Sequence, residues 1–282
     1  MNYDTIETKD GALFQHGKEN DRIYLMGWDG LEPERLLKMI NRYIEENKYT
    51  KAFIKIPENH TPFFAENGFT EEARIPSYYD EKDCVFMSWF VDPQRAIIPD
   101  AIHKTIKKNR ALAQKYGLKK EKVRAKLSGK YSLRKLTTKD STALTALYRI
   151  VFKTYPFPIQ TPEYVEKTMG ENVQYFGIFS GETLVAASAV EIDHASNSVE
   201  LTDFATTPNH RGNSFASILL QEMERSMKEQ GIRTRYTIAR ALSAGMNITF
   251  AKAGYRYAGT LVNNTDIAGT IESMNVWYAE KP

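Results

Sequence analysis

The segment DFATTPNHRGNSFASILLQEM, residues 203–223, contains the strongest structural signal in the chain. It begins at the end of an apolar strand, passes through turn residues at 207–210 and continues with apolar residues at helical spacing. Between the strand and the helix stand Arg211, Gly212 and several small residues. The free N–H groups and the positive dipole end of a helix suit a phosphate, so the junction predicts an anion site. A plain connecting loop is the alternative.

Composition limits the kind of protein that contains this segment. The chain has 282 residues, of which 42% are hydrophobic and 26% are charged, as in a soluble globular protein with one large or two ordinary domains. No apolar run approaches the roughly 18 residues of a membrane span, and the polar N-terminus shows no signal peptide. The single cysteine, Cys84, excludes an internal disulfide and indicates a reducing compartment. We therefore expect a cytoplasmic protein that does not associate with membranes.

A basic block interrupts the sequence between residues 103 and 130. It contains eleven lysines and arginines and one acidic residue, Glu121. We interpret it as a helical connector with a partial apolar stripe. Contact with a polyanion is the alternative, because lysine and arginine neutralise phosphates. The block has one aromatic residue, Tyr116, and no nucleic-acid motif, so we do not expect nucleic acid as a partner.

Beyond the connector, the periodicity of the apolar residues changes in a regular order. An alternating strand at 131–136 precedes a helix through 144–151 and a short helix that Pro162 opens. Two strands joined by the turn at 180–182, then a third at 198–207, lead into the segment quoted above. A further strand, a short helix and two closing strands complete the chain. This order predicts a mixed α/β sheet flanked by helices.

Two motifs in this order resemble the GNAT N-acetyltransferases. That family binds the pyrophosphate of acetyl-CoA with Gln/Arg-x-x-Gly-x-Gly/Ala, which residues 211–216 match except that Ser214 replaces a glycine. Asn247 and the segment 250–255 are similar to the family's Asn…Tyr-x-x-x-Gly-Phe. The resemblance covers residues 131–282. It implies a GNAT-like twisted sheet and acetyl-CoA as cosubstrate, and it implies no metal.

The resemblance also implies a set of cofactor-binding residues. They belong to the strand end, to the Arg-Gly junction and to the second motif: Phe204, Ala205, Thr206, Arg211, Gly212, Asn213, Ser214, Phe215, Ala216, Asn247 and Phe250.

Acetyl transfer to an amine requires a base, because an alkyl amine with a pKa of about 10.4 is protonated at neutral pH. Some family members carry a glutamate where this chain has Glu200, so Glu200 is the first candidate. Asp203 is the second, and strand alternation predicts that it points to the opposite face. Phe250 stands where the family has a tyrosine that protonates the leaving thiolate. Its replacement stays open among Tyr255, Ser243, Tyr78 and Tyr79, or the thiolate leaves unaided.

Several phrases, including RIPSYY, ARALSAGMNITF and GTLVNNTDIAGTIESMNVWY, resemble one subgroup of the family that acts on β-lysine. This resemblance implies acetylation of the ε-amine to give N6-acetyl-β-lysine, an osmolyte. A polyamine or protein-lysine acetyltransferase is the first alternative. A non-catalytic module that binds acyl-CoA or RNA is the second.

The first hundred residues echo the C-terminal part of the chain. Residues 64–69 (FAENGF) align with 250–255 (FAKAGY), and a helix followed by a strand precedes each segment. In the N-terminal part, Glu32 stands at the position that corresponds to the phosphate site of the C-terminal part. An acidic residue there would repel the phosphates of CoA. We therefore predict a degenerate GNAT-like domain at 1–92, the basic connector at 93–130 and the catalytic domain at 131–282.

We expect residues of both the N-terminal and the C-terminal part to bind the substrate. The segment RIPSYYDEKD of the N-terminal part predicts a lid over a cationic substrate, with a solvated loop as the alternative. The candidate substrate-binding residues are Tyr78, Tyr79, Arg240 and Asn263. The sequence leaves a monomer or a homodimer open.

Overall fold

The computed structural model describes residues 3–28, 30–118 and 125–279. Within these residues, the N-terminal part contains six strands and two α-helices: β1 (Thr5–Lys9), β2 (Ala12–Gly17), β3 (Arg22–Trp28), α1 (Pro33–Asn47), β4 (Lys51–Pro57), α2 (Thr61–Glu66), β5 (Thr70–Tyr79) and β6 (Lys82–Phe90). The helix and strand expected at α1 and β4 are present. The sequence analysis did not assign the three strands before α1.

Helix α3 (Asp100–Gly117) occupies the predicted connector. Ile106 and Ala113 are buried, while Ile102 and Leu112 of the expected apolar stripe are more exposed. The Asn109 side chain donates hydrogen bonds to the carbonyls of Ala241 and Leu242 at 3.2 and 3.0 Å. These bonds attach the helix to the C-terminal part. Residues 119–124 of the basic block lie outside the described residues.

In the described range 125–279, the C-terminal part contains seven strands and four α-helices: β7 (Tyr131–Lys135), α4 (Ser141–Val151), α5 (Pro162–Glu171), β8 (Val173–Ser180), β9 (Thr183–Asp193), β10 (Ser198–Thr206), α6 (Phe215–Glu229), β11 (Thr234–Arg240), α7 (Ala244–Lys252), β12 (Tyr255–Ile267) and β13 (Thr270–Ala279). The order predicted from periodicity is confirmed. The apolar residues predicted to face the core from α6, including Leu219 and Met223, are buried.

All thirteen strands of the described residues form one mixed sheet. Their order is β1-β2-β3-β4-β6-β5-β12-β13-β11-β10-β9-β8-β7. The two sides of the β5–β12 junction follow the same plan, because β3–β4 and β10–β11 are parallel pairs around α1 and α6. Phe64 and Phe250, which the sequence comparison aligned, are both fully buried in short helices. The division at 92 and 130 stays a prediction.

Side chains hold the two halves together more than the sheet ladder does. The β5–β12 register contains the single pair Gly259 and Ala73. Beside it, the buried Lys51 ammonium contacts Glu72 at 3.0 Å and donates to the Val262 carbonyl at 2.7 Å. Glu72 also accepts from the Val262 N–H at 2.7 Å. A buried ion pair with satisfied hydrogen bonds fixes the junction, since removing either partner would leave an unpaired charge.

Candidate active site

A gap between two strands creates the site. Strands β10 and β11 pair in parallel from Ser198 with Thr234 to Glu200 with Tyr236, and their pairing ends there. Beyond this point β10 contains a bulge between Thr202 and Ala205. A bulge bends its strand and leaves backbone groups unpaired. The strands therefore separate, with polar backbone edges available to an extended ligand.

A cavity of about 840 Å³ occupies this gap and extends beneath the N-terminal half. The C-terminal walls include residues of β10, β11 and β12, the starts of α6 and α7, and the segment from the end of α4 through α5. The N-terminal half supplies six lining residues from β2, β3 and β4: Gln15, Arg22, Tyr24, Met26, Phe53 and Lys55. The volume lies within the range of small-molecule sites.

Both candidate bases, Glu200 and Asp203, line this one cavity. The prediction that Asp203 points to the opposite face is wrong. Asp203 adopts a left-handed conformation with φ of 56° within the bulge, which breaks the alternation of side chains. The two carboxyl groups therefore share one environment.

That environment raises the pKa of both groups. Burial, followed by the neighbouring Glu191 carboxylate, raises the pKa of Glu200 to about 8, although Lys55 and a hydrogen bond from Tyr236 oppose the shift. Burial likewise raises the pKa of Asp203 to about 6, against a hydrogen bond from the Tyr155 hydroxyl. A carboxylate with a pKa near neutrality is a stronger base than an ordinary one and still ionises at working pH.

The Arg-Gly junction has the geometry of an anion cradle. Arg211, Gly212, Ser214, Phe215 and Ala216 line the cavity where α6 begins. Gly212 has φ of 85°, and a Cβ built on it meets no atom within 4 Å. Ser214 has φ of 58° and precedes the helix. Two left-handed residues turn the backbone towards open space, so these residues fit a phosphate group.

Three predicted cofactor residues do not line the cavity. Ala205 is buried in the hydrophobic cluster around α4, and Asn213 donates its side-chain N–H to the His210 carbonyl at 2.8 Å. Asn247 is buried and donates to the carbonyls of Arg240 and Ser243 at 2.9 and 2.8 Å, while its Oδ1 accepts from Asn275 and Trp277. Asn247 therefore orders α7 and the neighbouring strand. Phe204, Thr206 and Phe250 do line the cavity.

The predicted substrate residues are mostly used elsewhere. Tyr78 and Tyr79 lie on the β5–β6 hairpin, where the sequence predicted a lid, and neither lines the cavity. Tyr78 is buried and accepts a hydrogen bond from Ser198 at 2.7 Å. Asn263 donates to the carbonyls of Arg95 and Ile97. Arg240 lines the cavity, but Glu272 holds it through two hydrogen bonds at 3.0 and 2.6 Å.

Among the candidates for protonating a thiolate, Ser243 lies at the cavity. The buried Tyr255 hydroxyl donates to Glu224, away from the cavity. Ser243 lines the cavity at the start of α7, the helix that also contains Phe250. Its position favours Ser243 over Tyr255, Tyr78 and Tyr79.

The lining residues of the N-terminal half were missed by the sequence analysis. Their signal is the alternation Arg22-x-Tyr24-x-Met26 on β3 and Phe53-x-Lys55 on β4, where polar or charged side chains share a face with aromatic ones. Such alternation indicates which residues share a face, but not that the face meets a site that is distant in the sequence.

Neither a metal-binding group nor a membrane-spanning helix is found among the described residues. Across residues 3–28, 30–118 and 125–279, no group of three or more histidine, cysteine or acidic side chains is placed to hold a metal ion. In the same ranges, no helix is both long and apolar enough to cross a membrane.

Comparisons with known proteins identify a family and several relatives of this chain. Residues 144–255 match the acetyltransferase (GNAT) family. The chain is 40% identical to beta-lysine N(6)-acetyltransferase of Methanococcus maripaludis over 97% of both chains. It is 30% identical to N-acetyltransferase YodP of Bacillus subtilis over 94% of both chains. It is 31% identical to beta-lysine N(6)-acetyltransferase of Methanosarcina mazei, with 74% of this chain and 83% of that protein covered.

The chain therefore belongs to the GNAT acetyltransferase family. It is an N-acetyltransferase that uses acetyl-CoA as its cosubstrate. The first two of these relatives match along nearly their whole lengths. Their similarity to this chain therefore covers the N-terminal half as well as residues 144–255.

Proposed function

We propose that this protein acetylates the ε-amine of β-lysine to give N6-acetyl-β-lysine. The observation that carries the proposal is the 40% identity, over 97% of both chains, to a protein named beta-lysine N(6)-acetyltransferase. The mixed lining of the cavity supports it, because an amino acid with two amines needs both anionic and cationic partners. A polyamine, which has no carboxylate, would leave the buried cations of the cavity unused.

In this proposal Glu200 is the general base. Its carboxylate takes the proton that the ammonium group must lose before the nitrogen attacks, and its raised pKa suits that transfer near neutral pH. Asp203 is the alternative base, three residues further along β10. When bound, acetyl-CoA supplies the acetyl group as a thioester. Phe204 and Phe250, whose rings meet edge to face, keep water from this part of the cavity.

The cradle residues are proposed to hold the phosphates of the cofactor. Backbone N–H groups at the start of α6 provide the donors, and Arg211 provides a cation at the cavity mouth. Phe204 and Thr206 on β10 line the path from the cradle to Glu200. Ser243 is the proposed proton donor to the thiolate.

We further propose that the enzyme works in the cytoplasm and that its product serves as a compatible solute. Acetylation removes the charge of the ε-ammonium, so the product keeps one carboxylate and one ammonium group and is neutral overall. A homodimer stays a prediction, which light scattering of the purified protein would check.

An acetyl-CoA consumption assay tests the proposed substrate. β-Lysine, α-lysine, spermidine and a lysine-containing peptide are offered at equal concentration, and the acetylated nitrogen is assigned by NMR. We expect the highest kcat/KM for β-lysine, with acetylation at the ε-nitrogen. A higher kcat/KM for spermidine or the peptide, or acetylation at the β-nitrogen, would overturn the proposal.

A further inference from the structure

Arg22 of β3 is a buried cation at the wall of the active cavity. It lines the cavity and is 3% exposed. Among the described residues it makes no ion pair, and burial lowers the pKa of its guanidinium to about 10. Its nearest electrostatic acidic partners are already engaged: Glu72 pairs with Lys51, and Asp4 accepts hydrogen bonds from Asn20. A buried guanidinium without a carboxylate partner is costly, so an anionic ligand would stabilise it.

The hydrogen bonds of Arg22 leave one edge of its guanidinium free. Nη1 donates to the Asn264 carbonyl and, at 3.4 Å, to the Thr265 hydroxyl, and Nη2 donates to Gln15 Oε1 at 3.1 Å. A guanidinium has five N–H groups. The described residues therefore leave Nε–H, which has no partner, and one Nη2–H. Nε–H together with an Nη2–H is the edge through which a guanidinium binds a carboxylate by two parallel hydrogen bonds.

Neighbouring side chains hold this arginine in place. The guanidinium lies 5.2 Å from the centre of the Tyr24 ring and 5.5 Å from that of Phe53. Gln15, its hydrogen-bond acceptor, is itself fixed by a 2.8 Å bond to the Pro156 carbonyl. The side chain therefore pays little conformational entropy when a ligand binds.

Asn264 of β12 presents the complementary acceptor. It is 2% exposed and lines the same cavity, and its Oδ1 has no hydrogen-bond partner among the described residues. Its backbone carbonyl accepts from Arg22, so the two residues are in contact. One contact pair thus offers two unused donors and one unused acceptor. A carboxylate beside an ammonium group has the matching chemistry.

Two other cations of the cavity wall, Arg240 and Lys55, are less suited to this role. Glu272 neutralises Arg240. Lys55 interacts electrostatically with Glu191 and Glu200, and its ammonium lies 5.7 Å from the centre of the Tyr78 ring. Tyr24 interacts with both Arg22 and Glu200. Arg22, which lies against the Tyr24 ring, therefore lines the same cavity as the base.

We propose that Arg22 and Asn264 bind the amino-acid end of the substrate, with the Arg22 guanidinium on its carboxylate and the Asn264 Oδ1 on its adjacent ammonium group. This inference rests on the proposed function and assigns a role to the degenerate N-terminal half. That half supplies the arginine that distinguishes an amino acid from a simple diamine. The distal amine then extends past Tyr24 towards Glu200.

The test compares β-lysine with the diaminopentane that it would give on losing its carboxyl group. The readout is the ratio of the two kcat/KM values for the full-length protein. In Arg22→Met we expect this ratio to fall about 100-fold, because a site that has lost a charged hydrogen-bond partner no longer discriminates for the carboxylate. The KM for acetyl-CoA should stay unchanged. Arg22→Lys, which keeps the charge but not the fork, should have an intermediate ratio.

Arg95→Met is the matched control for a purely structural effect. Arg95 also joins the two halves, through the carbonyls of Asn263 and Asn20, but it does not line the cavity. Its loss should lower stability and leave the ratio unchanged. A folded Arg22→Met protein with the wild-type ratio would overturn the proposal.

Asn264→Asp decides the question if Arg22→Met does not fold. The new carboxylate would pair with the guanidinium in place of the substrate, so the ratio should fall at least about tenfold. An unchanged ratio in a folded Asn264→Asp protein would also contradict the proposal. If the wild-type enzyme prefers α-lysine, the same variants are assayed with α-lysine and its decarboxylated diamine. In that case the carboxylate site stands although the proposed substrate is wrong.

Discussion

Glu200 and Asp203 face one cavity although they are three residues apart on β10, because the bulge at Asp203 turns its side chain to the side that Glu200 occupies. The Asp203 carboxylate contributes to raising the pKa of Glu200, and Glu191 raises the pKa of both. The carboxylates therefore titrate as an interacting set, and a pH profile reports the set as well as its members.

Replacing Glu200 with glutamine should reveal the base. Glu200→Gln keeps the shape of the side chain and removes the proton acceptor, so kcat should fall by roughly 10²–10³. The KM for acetyl-CoA should change little, since Glu200 lies away from the cradle. Steady-state kinetics at neutral and high pH measure both values, and the loss should be smaller at high pH, where more of the amine is neutral. Near-normal kcat in Glu200→Gln, with an inactive and folded Asp203→Asn, would assign the base to Asp203.

The same substitution should change how stability depends on pH. The folded-state pKa of Glu200, about 8, lies above its unfolded value, so the folded state retains a proton that the unfolded state releases. The free energy of unfolding therefore falls as the pH rises. This loss is absent below about pH 4 and complete above pH 8. Glu200→Gln should therefore gain stability over the wild type on going from pH 5 to pH 9, on the order of a few kcal/mol. Urea unfolding at both pH values measures the difference, and a constant difference would contradict the assigned burial.

Lys55 should set the position of the pH profile. Its ammonium lowers the pKa of Glu200 against the effect of burial. In Lys55→Met the limb of kcat that rises with pH, expected near pH 8 in the wild type, should move to higher pH. Lys252→Met is the control, because Lys252 also lines the cavity but is exposed and is not among the main groups that shift the pKa of Glu200. Equal pH profiles of kcat in the wild type and in Lys55→Met would show that Lys55 does not affect the pKa of the base.

The cradle should tolerate glycine at position 214 and reject a branched residue. Ser214 adopts a left-handed conformation, which glycine reaches without strain and valine strongly disfavours. Ser214→Gly should keep the KM for acetyl-CoA, whereas Ser214→Val and Gly212→Val should raise it about tenfold or more by distorting the turn. Asn213→Ala is the control, since Asn213 does not line the cavity. Normal cofactor affinity in a folded Gly212→Val protein would mean that the phosphates bind elsewhere.

The junction of the two halves should be sensitive to one methyl group. A Cβ on Gly259 would lie 2.1 Å from the Glu72 carbonyl oxygen and 2.6 Å from the Ala73 Cα, both backbone atoms. Gly259→Ala should therefore destabilise the protein by about 2 kcal/mol or more. Gly170→Ala, in α5 with open space around it, should instead stabilise by about 0.5–1 kcal/mol. Chemical denaturation of both variants measures the sign of the change in unfolding free energy. Equal stabilities of the two variants would contradict the close approach of Gly259 to the backbone of Glu72 and Ala73.

The sequence by itself determined the order of the C-terminal elements and the position of the cradle. Both depend on local chemistry: apolar spacing that differs between strands and helices, turn residues, and small residues before a helix. Glu200 was the first candidate base because the resemblance to the family implies a glutamate at that position, and the structure places it at the cavity.

Only the tertiary structure decided which side chains meet in the cavity. Strand alternation placed Asp203 on the wrong face, because a bulge depends on pairing with β9 and is not visible in one strand. From the sequence, Arg240 was a candidate to bind the substrate. In the folded protein its guanidinium pairs with Glu272, which lies 32 residues away in the chain. Arg22 reaches the site from 242 residues before Asn264. Local patterns report on neighbours along the chain, whereas burial, pairing and charge compensation depend on contacts between segments that folding brings together.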